Sequence, residues 1–309
     1  MKLMRALGGL VLALTLGSLL VHAVSQGPNY AGAATAVGWS NPTDAIGTPD
    51  NACASRAGAA GGSLDLTNFG FTIPDAAVIN GITVEVKFAG TTIGDDGVSV
   101  QLLKGGSPDG STQDIFGVAG QTDCSTSAFR TVGSPTDLWG TTWTAAEINA
   151  ANFGVRLSKL GSTGTSYVDS VRITVEYSDV MTVTVISGGT LTANVNSAAT
   201  VESGKVEFLS QTTLQVVSTK NWRVRAVASV TSYPAGADDP TGNAVEVKNY
   251  LGNFEPAGSL PGVIVATGTP TPAGGVTVDV DLRVMLDDFG DGKIGSYQFT
   301  VNYSIEEDI

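Results

Sequence analysis

Two β-strand patterns abut in this chain with almost nothing between them. From Tyr167 to Tyr177, Val171, Ile173, Val175 and Tyr177 share one side, while Arg172, Thr174 and Glu176 take the other. A period of two is the pattern of a half-buried strand. After Ser178 and Asp179 the alternation resumes, with Met181, Val183 and Val185 opposite Thr182 and Thr184. Each apolar row needs its own partner layer. One β domain (24–179) is therefore expected to hand over directly to a second (180–309), across a junction too short for independent tumbling.

The composition agrees with an all-β chain. Of 309 residues 15% are charged and 39 are glycine, against about 25% charged in average proteins. Val, Thr, Ser and Gly take the place of the usual helix formers, which favours short strands joined by tight turns. The expected architecture is two tandem antiparallel β-sandwiches of jelly-roll or immunoglobulin-like type. The formal net charge of −13 comes with no basic stripe, which argues against nucleic-acid binding and against adsorption to anionic lipid.

The N-terminus carries an address. Met1-Lys-Leu-Met-Arg5 is a basic head, Ala6 to Val21 is an apolar run, and Val21-His-Ala23 ends in the small residues that a signal peptidase reads. Residues 1–23 are therefore read as a secretory signal peptide removed near Ala23. The competing reading is an uncleaved anchor, but the run is short of the roughly 20 residues a span needs. The mature protein is expected outside the cell, at the cell surface, with no membrane span of its own. Cys53 and Cys124 are the two cysteines, and an even count in an exported chain predicts a disulfide between them.

In chain order, Gly27–Gly62 reads as loops around Trp39. Phe69–Pro74, Ile79–Phe88 and Val98–Leu102 read as strands, and Ser107 to Cys124 as polar loops. Thr144-Ala-Ala-Glu147 is a capping box that predicts one or two helical turns. Beyond Val180, strands are expected at Thr190–Val195, Lys205–Leu209, Thr213–Val217, Trp222–Val230, Gly262–Ala266, Val276–Leu286 and Tyr297–Ile305.

Several of these segments together resemble a known module. They are Gly38-Trp-Ser-Asn-Pro42, Phe69-Gly-Phe-Thr-Ile-Pro74, Ile79–Val86, Asp137-Leu-Trp-Gly140 with Trp143, Asn152–Val155 and Val168–Val175. This set resembles a β-sandwich module that recurs in secreted bacterial surface proteins and phage structural proteins. The likeness covers about half the chain, and it implies a spacer or adhesive building block without catalysis. The closing strand Gly295–Ile305 is similar to that of pilin and fimbrial domains.

The catalytic possibilities are few. The one histidine, His22, lies in the leader, so a mature chain has no imidazole for Ser-His-Asp hydrolysis or zinc binding. No serine stands three residues before a lysine, and no phosphate-cradling glycine loop is present. Acidic pairs at Asp95-Asp96, Asp238-Asp239 and Asp287-Asp288 sit in turn-like sequence, where Asp is common for backbone reasons. No catalytic residue and no cofactor is expected. Asp287, Asp288 and Asp291 would suit calcium, but Phe289 and Gln298 break the EF-hand register and an Asp-Gly turn explains the same letters. Trp39, Trp139 and Trp143 pose a similar choice between stacking on a sugar ring and plugging the core.

The function expected is that of a secreted structural or adhesive surface protein: a filament, sheath or stalk subunit that associates with itself or with other surface subunits. The alternative is a non-catalytic carbohydrate-binding protein.

Overall fold

The computed structural model describes residues 10–15, 20–193, 204–232, 242–285 and 298–309. Asp287, Asp288 and Asp291, and the pair Asp238-Asp239, lie outside the described residues. The protein is nearly all β, and it forms two compact units. Among the described residues no helix is long and apolar enough to cross a membrane.

The first unit spans His22–Ser178. Its strands are β2 (Leu20–Tyr30), β3 (Ala33–Val37), β4 (Ala54–Ala57), β5 (Gly61–Thr67), β6 (Val78–Gly90), β7 (Gly97–Lys104), β8 (Ser107–Phe116), β9 (Ala128–Ser134), β10 (Gly154–Leu160) and the first half of β11 (Thr165–Ser187). One sheet runs β3-β5-β10-β7-β8; in the other, β6 lies between β9 and β11, and β2 and β4 also pair with β11. Their inward rows meet in one core. Ile82, Val84, Val86 and Phe88 from β6 and Val171, Ile173 and Val175 from β11 are all wholly buried. These are the rows that the period of two marks out. At about 25 cal/mol per Å2 of apolar surface removed from water, such rows are the main stabilising term.

The second unit holds Asp179–Ile309 and, among the described residues before His22, the strand β1 (Leu10–Thr15). The rest of β11 serves it, with β12 (Thr190–Ala193), β13 (Lys205–Ser218), β14 (Trp222–Ser232), β15 (Val245–Lys248), β16 (Phe254–Pro256), β17 (Val263–Gly268), β18 (Val276–Met285) and β19 (Gln298–Glu307). One sheet has the order β12-β1-β19-β14-β17, and on the other side of the core stand β16-β15-β18-β13-β11. Leu214 and Val216 from β13, Leu282 and Val284 from β18, and Phe299 and Val301 from β19 fill the space between.

Several local outcomes differ from the sequence reading. Gly27–Gly62, read as loops, carries the strands β3 and β4, which are too short and too rich in small residues to show an apolar period. Phe69–Pro74 is no ladder strand, although Phe69, Phe71 and Ile73 alternate inward and are buried. Side-chain amides replace the neighbouring strand. The Ile73 N–H donates to Asn149 Oδ1 at 2.8 Å, Asn149 Nδ2 donates to the Ile73 carbonyl at 2.8 Å, and the Thr72 N–H donates to Gln26 Oε1 at 3.1 Å. Ser107–Phe116, read as loop, is the edge strand β8; it buries little besides Ile115, so it shows no apolar period. The expected pair Lys205–Leu209 and Thr213–Val217 is the single strand β13, with a register shift against β18 between Phe208 and Thr212. There Ser210 takes a left-handed φ of 51° and its N–H donates to Asp281 Oδ1 at 2.7 Å.

The capping box forms as its spacing predicts. The Glu147 N–H donates to Thr144 Oγ1 at 3.2 Å and the Thr144 N–H donates to Glu147 Oε2 at 2.8 Å. They start a single short helix, α1 (Ala145–Asn149).

Candidate functional site

The tryptophans occupy the core. Trp139 is wholly buried, and Trp39 and Trp143 are each 7% exposed. Trp139 has a left-handed φ of 60° and its Nε1 donates to the Ile82 carbonyl at 2.8 Å. Trp143 Nε1 donates to the Leu138 carbonyl at 3.1 Å, and its ring meets Phe153 edge-on at 5.5 Å. Lys104 Nζ stands 4.7 Å above the same ring. A ring enclosed this way has no free face for a sugar, so stacking at Trp39, Trp139 or Trp143 gives way to packing. Trp222 is buried likewise, donating to the Thr269 carbonyl at 2.8 Å.

The two cysteines are joined. Cys53, just before β4, and Cys124, at the start of a 3-10 turn, form a disulfide with a Cα–Cα separation of 5.9 Å. The bridge closes a 71-residue interval, which in the chain-entropy picture stabilises by about 4 kcal/mol.

Ionisable groups mostly bridge strands. Arg172 and Glu85 stand directly opposite on β11 and β6, with two bonds of 2.8 and 2.9 Å. Arg156 faces Asp65 across β10 and β5 in the same forked manner, at 2.7 and 2.6 Å. Arg223 faces Glu306 across β14 and β19, and Arg283 faces Glu246 across β18 and β15. The carboxylate partner holds the Arg156 and Arg172 guanidinium groups above their ordinary range. Glu306 is held below the usual carboxylate range by hydrogen bonds from Arg225 and Arg223, which outweigh its burial.

One pair is fully enclosed. Lys159 Nζ lies 3.1 Å from Asp96 Oδ1, with both side chains wholly buried. The ammonium also donates to the carbonyls of Leu160 and Thr163, each at 3.0 Å. Its three donors thus have three acceptors. Burial pushes the Asp96 carboxyl up, but hydrogen bonds from Thr91, Lys159 and Thr92 outweigh it and leave the group below its ordinary range. Asp95, its neighbour in sequence, instead accepts from Thr163 Oγ1 at 3.1 Å. This acidic pair therefore serves turn and strand structure.

A cleft of about 490 Å3 in the first unit is lined by Ala23, Ile79, Asn80, Pro135, Thr136, Leu138 and Glu176. It offers one carboxylate, where glycoside hydrolysis needs two facing each other. Among the described residues no group of three or more His, Cys, Asp or Glu side chains is placed to hold a metal ion. Sequence reasoning missed the ladder-facing Arg–carboxylate rungs. Their signal was present, because Arg172 and Glu85 both fall on the polar side of their strands, but register cannot be read from one strand alone.

No protein-family model matches the chain, and no curated protein matches it. Solved structures with some likeness include the carbohydrate-binding module TmCBM61 in complex with β-1,4-galactotriose: 10% identity and a TM-score of 0.25, covering 50% of this chain and 86% of that one. A fucolectin from striped bass (Morone saxatilis) serum has 11% identity and a TM-score of 0.31, covering 91% and 99%. The Macrobrachium rosenbergii nodavirus structure has 8% identity and a TM-score of 0.23, covering 94% and 90%. Likenesses at these scores carry no functional weight, and the all-β character of the chain stands on its own strands and their pairing.

Proposed function

We propose that this chain is an exported, non-catalytic structural protein of a bacterial cell surface, a filament, sheath or stalk subunit that works by form and by association with itself. The observation that carries the reading is where the charges go. Arg156, Arg172, Arg223 and Arg283 each stand across a strand pair from their own carboxylate, and the enclosed Lys159 ammonium has all three donors engaged. In these four pairs the charges tie neighbouring strands together. The Cys53–Cys124 bridge adds a covalent tie suited to an oxidising compartment.

Negative-stain microscopy of the protein recovered from outside the cell tests this directly. Ordered fibres or sheets are expected. Dispersed single particles that bind a polysaccharide in pull-down, with binding lost on substitution of exposed side chains, would replace the structural reading with carbohydrate binding. Turnover in a broad hydrolase screen would remove it.

A further inference from the structure

Strand β6 connects a hollow at one end of the first unit to an apolar loop tip at the other. Ile79 and Asn80, near its start, line the cleft of about 490 Å3. Gly90, its last residue, lies so close to Asp96 and Gly117 of the far loops that an added Cβ would meet both. The strand has 13 residues, which at about 3.3 Å each puts its ends roughly 40 Å apart. Among the described residues the first unit exposes five large apolar side chains, Val37, Val78, Ile93, Phe116 and Val118. Val78 adjoins the cleft, and the last three belong to the far loops. Single exposed apolar residues are ordinary, but grouped ones mark a contact surface.

The far loops are knitted together by their backbones. The Gly94 N–H donates to the Gly117 carbonyl at 3.3 Å, and the Gly117 N–H donates to the Asp96 carbonyl at 2.8 Å. Ile93, Phe116 and Val118 each stand one residue from the first of these bonds, and they are 62%, 42% and 37% exposed. A Cβ on Gly97 would come within 2.9 Å of the Phe116 ring, so a glycine there lets the ring rest on the backbone. Beneath them the Asp96 carboxylate accepts from Thr91 Oγ1 at 2.8 Å and from the Thr92 N–H at 2.7 Å, while its enclosed partner Lys159 holds the Thr163 carbonyl. A buried ion pair adds little net stability, and its attested use is to fix one arrangement. Here it fixes the loops that present the three side chains, which lowers the ordering cost of binding through them.

We propose that the tip carrying Ile93, Phe116 and Val118 on one copy seats in the cleft of the next, against Ile79, Pro135 and Leu138. The inference rests on the self-associating function proposed above and names the two surfaces that perform it. Cleft and tip lie at opposite ends of one strand, so a single copy cannot join them, whereas a neighbour can. Such a contact is head-to-tail, and it propagates as an open filament unless the rotation closes a ring. Glu176 in the cleft and Asp95 beside the tip are both acidic. Apolar burial, and not charge attraction, therefore drives the contact, and added salt should strengthen it. The lining residues other than Ala23 lie beyond the expected cleavage point, so the cleft persists in an exported chain.

Sedimentation velocity on the exported protein tests the proposal with two variants at exposed positions, Ile93→Asp on the tip and Thr136→Trp in the cleft. The unaltered protein is expected to assemble, and each variant alone to assemble roughly tenfold more weakly or less. Their equimolar mixture should stop at dimers, because each pair has one working tip and one working cleft. If either variant assembles as the unaltered protein does, self-association stands and this contact is wrong. If the unaltered protein stays monomeric at every concentration, both readings fall. Should either variant fail to fold by circular dichroism, cross-linking decides. Cys53 and Cys124 are bonded to each other, so an Ile93→Cys copy mixed with a Thr136→Cys copy and oxidised should give a disulfide-linked dimer. Cross-linking no greater in the mixture than in either variant alone overturns the proposal.

Discussion

Lys159 and Asp96 hold two opposite charges where water does not reach. The geometry is fully satisfied, so the cost of such a pair appears only when one partner is removed. Lys159→Met leaves Asp96 enclosed and unpaired, and a loss of about 3–5 kcal/mol is expected in urea unfolding. The double variant Lys159→Met, Asp96→Leu should recover most of that loss, and a double variant no better than the single would refute the account. Asp96 also sets an acid limit, together with Asp281, where hydrogen bonds from Lys248 and Ser210 outweigh burial and hold the carboxyl low. Their folded values lie below the ordinary 3.8, so the stability they add is present above that value and lost as pH falls through the folded values. Melting temperature should therefore hold near neutrality and drop below about pH 4; a flat profile down to pH 2 would contradict this. Tyr303 is the opposite case. Its hydroxyl is buried without a partner among the described residues, and burial pushes its ionisation far up. Removing an unpaired buried hydroxyl relieves a penalty of about 1–3 kcal/mol, so Tyr303→Phe should raise the melting temperature, and a lowered one would expose a partner for that oxygen.

Elements built on strict alternation were legible from the sequence, and those held by other means were not. β6, the first half of β11, β18 and β19 each bury one side and wet the other, and their apolar rows name the core directly. β8 lies at a sheet edge and buries too little to show a period. The segment Phe69–Pro74 shows the period but lacks a strand partner, because Asn149 brackets Ile73 from both sides. No local pattern announces that a helix-terminal amide 76 residues away will act as a surrogate strand. Asn149→Ala should cost about 1–3 kcal/mol by orphaning both Ile73 groups. Amide exchange at Ile73 should quicken more than exchange in β6; equal effects at both places would mean that the segment is held by its apolar side chains alone.

At the scale of the molecule, the sequence indicates two β bodies and a disulfide, yet the place of β1 between β12 and β19 was invisible. It depends on the pairing of chain segments at opposite ends of the sequence, and pairing register is a tertiary fact. The tryptophans were ambiguous for a related reason: an indole's sequence neighbours do not say whether its faces are covered. The Cys53–Cys124 bridge, by contrast, was legible in the even cysteine count, and it has a further effect. It encloses the turn at 92–96 and the polar stretch at 117–123 within one covalent ring. A protease that nicks either place frees no fragment, so limited digestion should give one band without reductant and two with it. Two bands without reductant would show the ring to be open. Worn at its exposed turns, such a molecule would stay whole in an environment full of hydrolases.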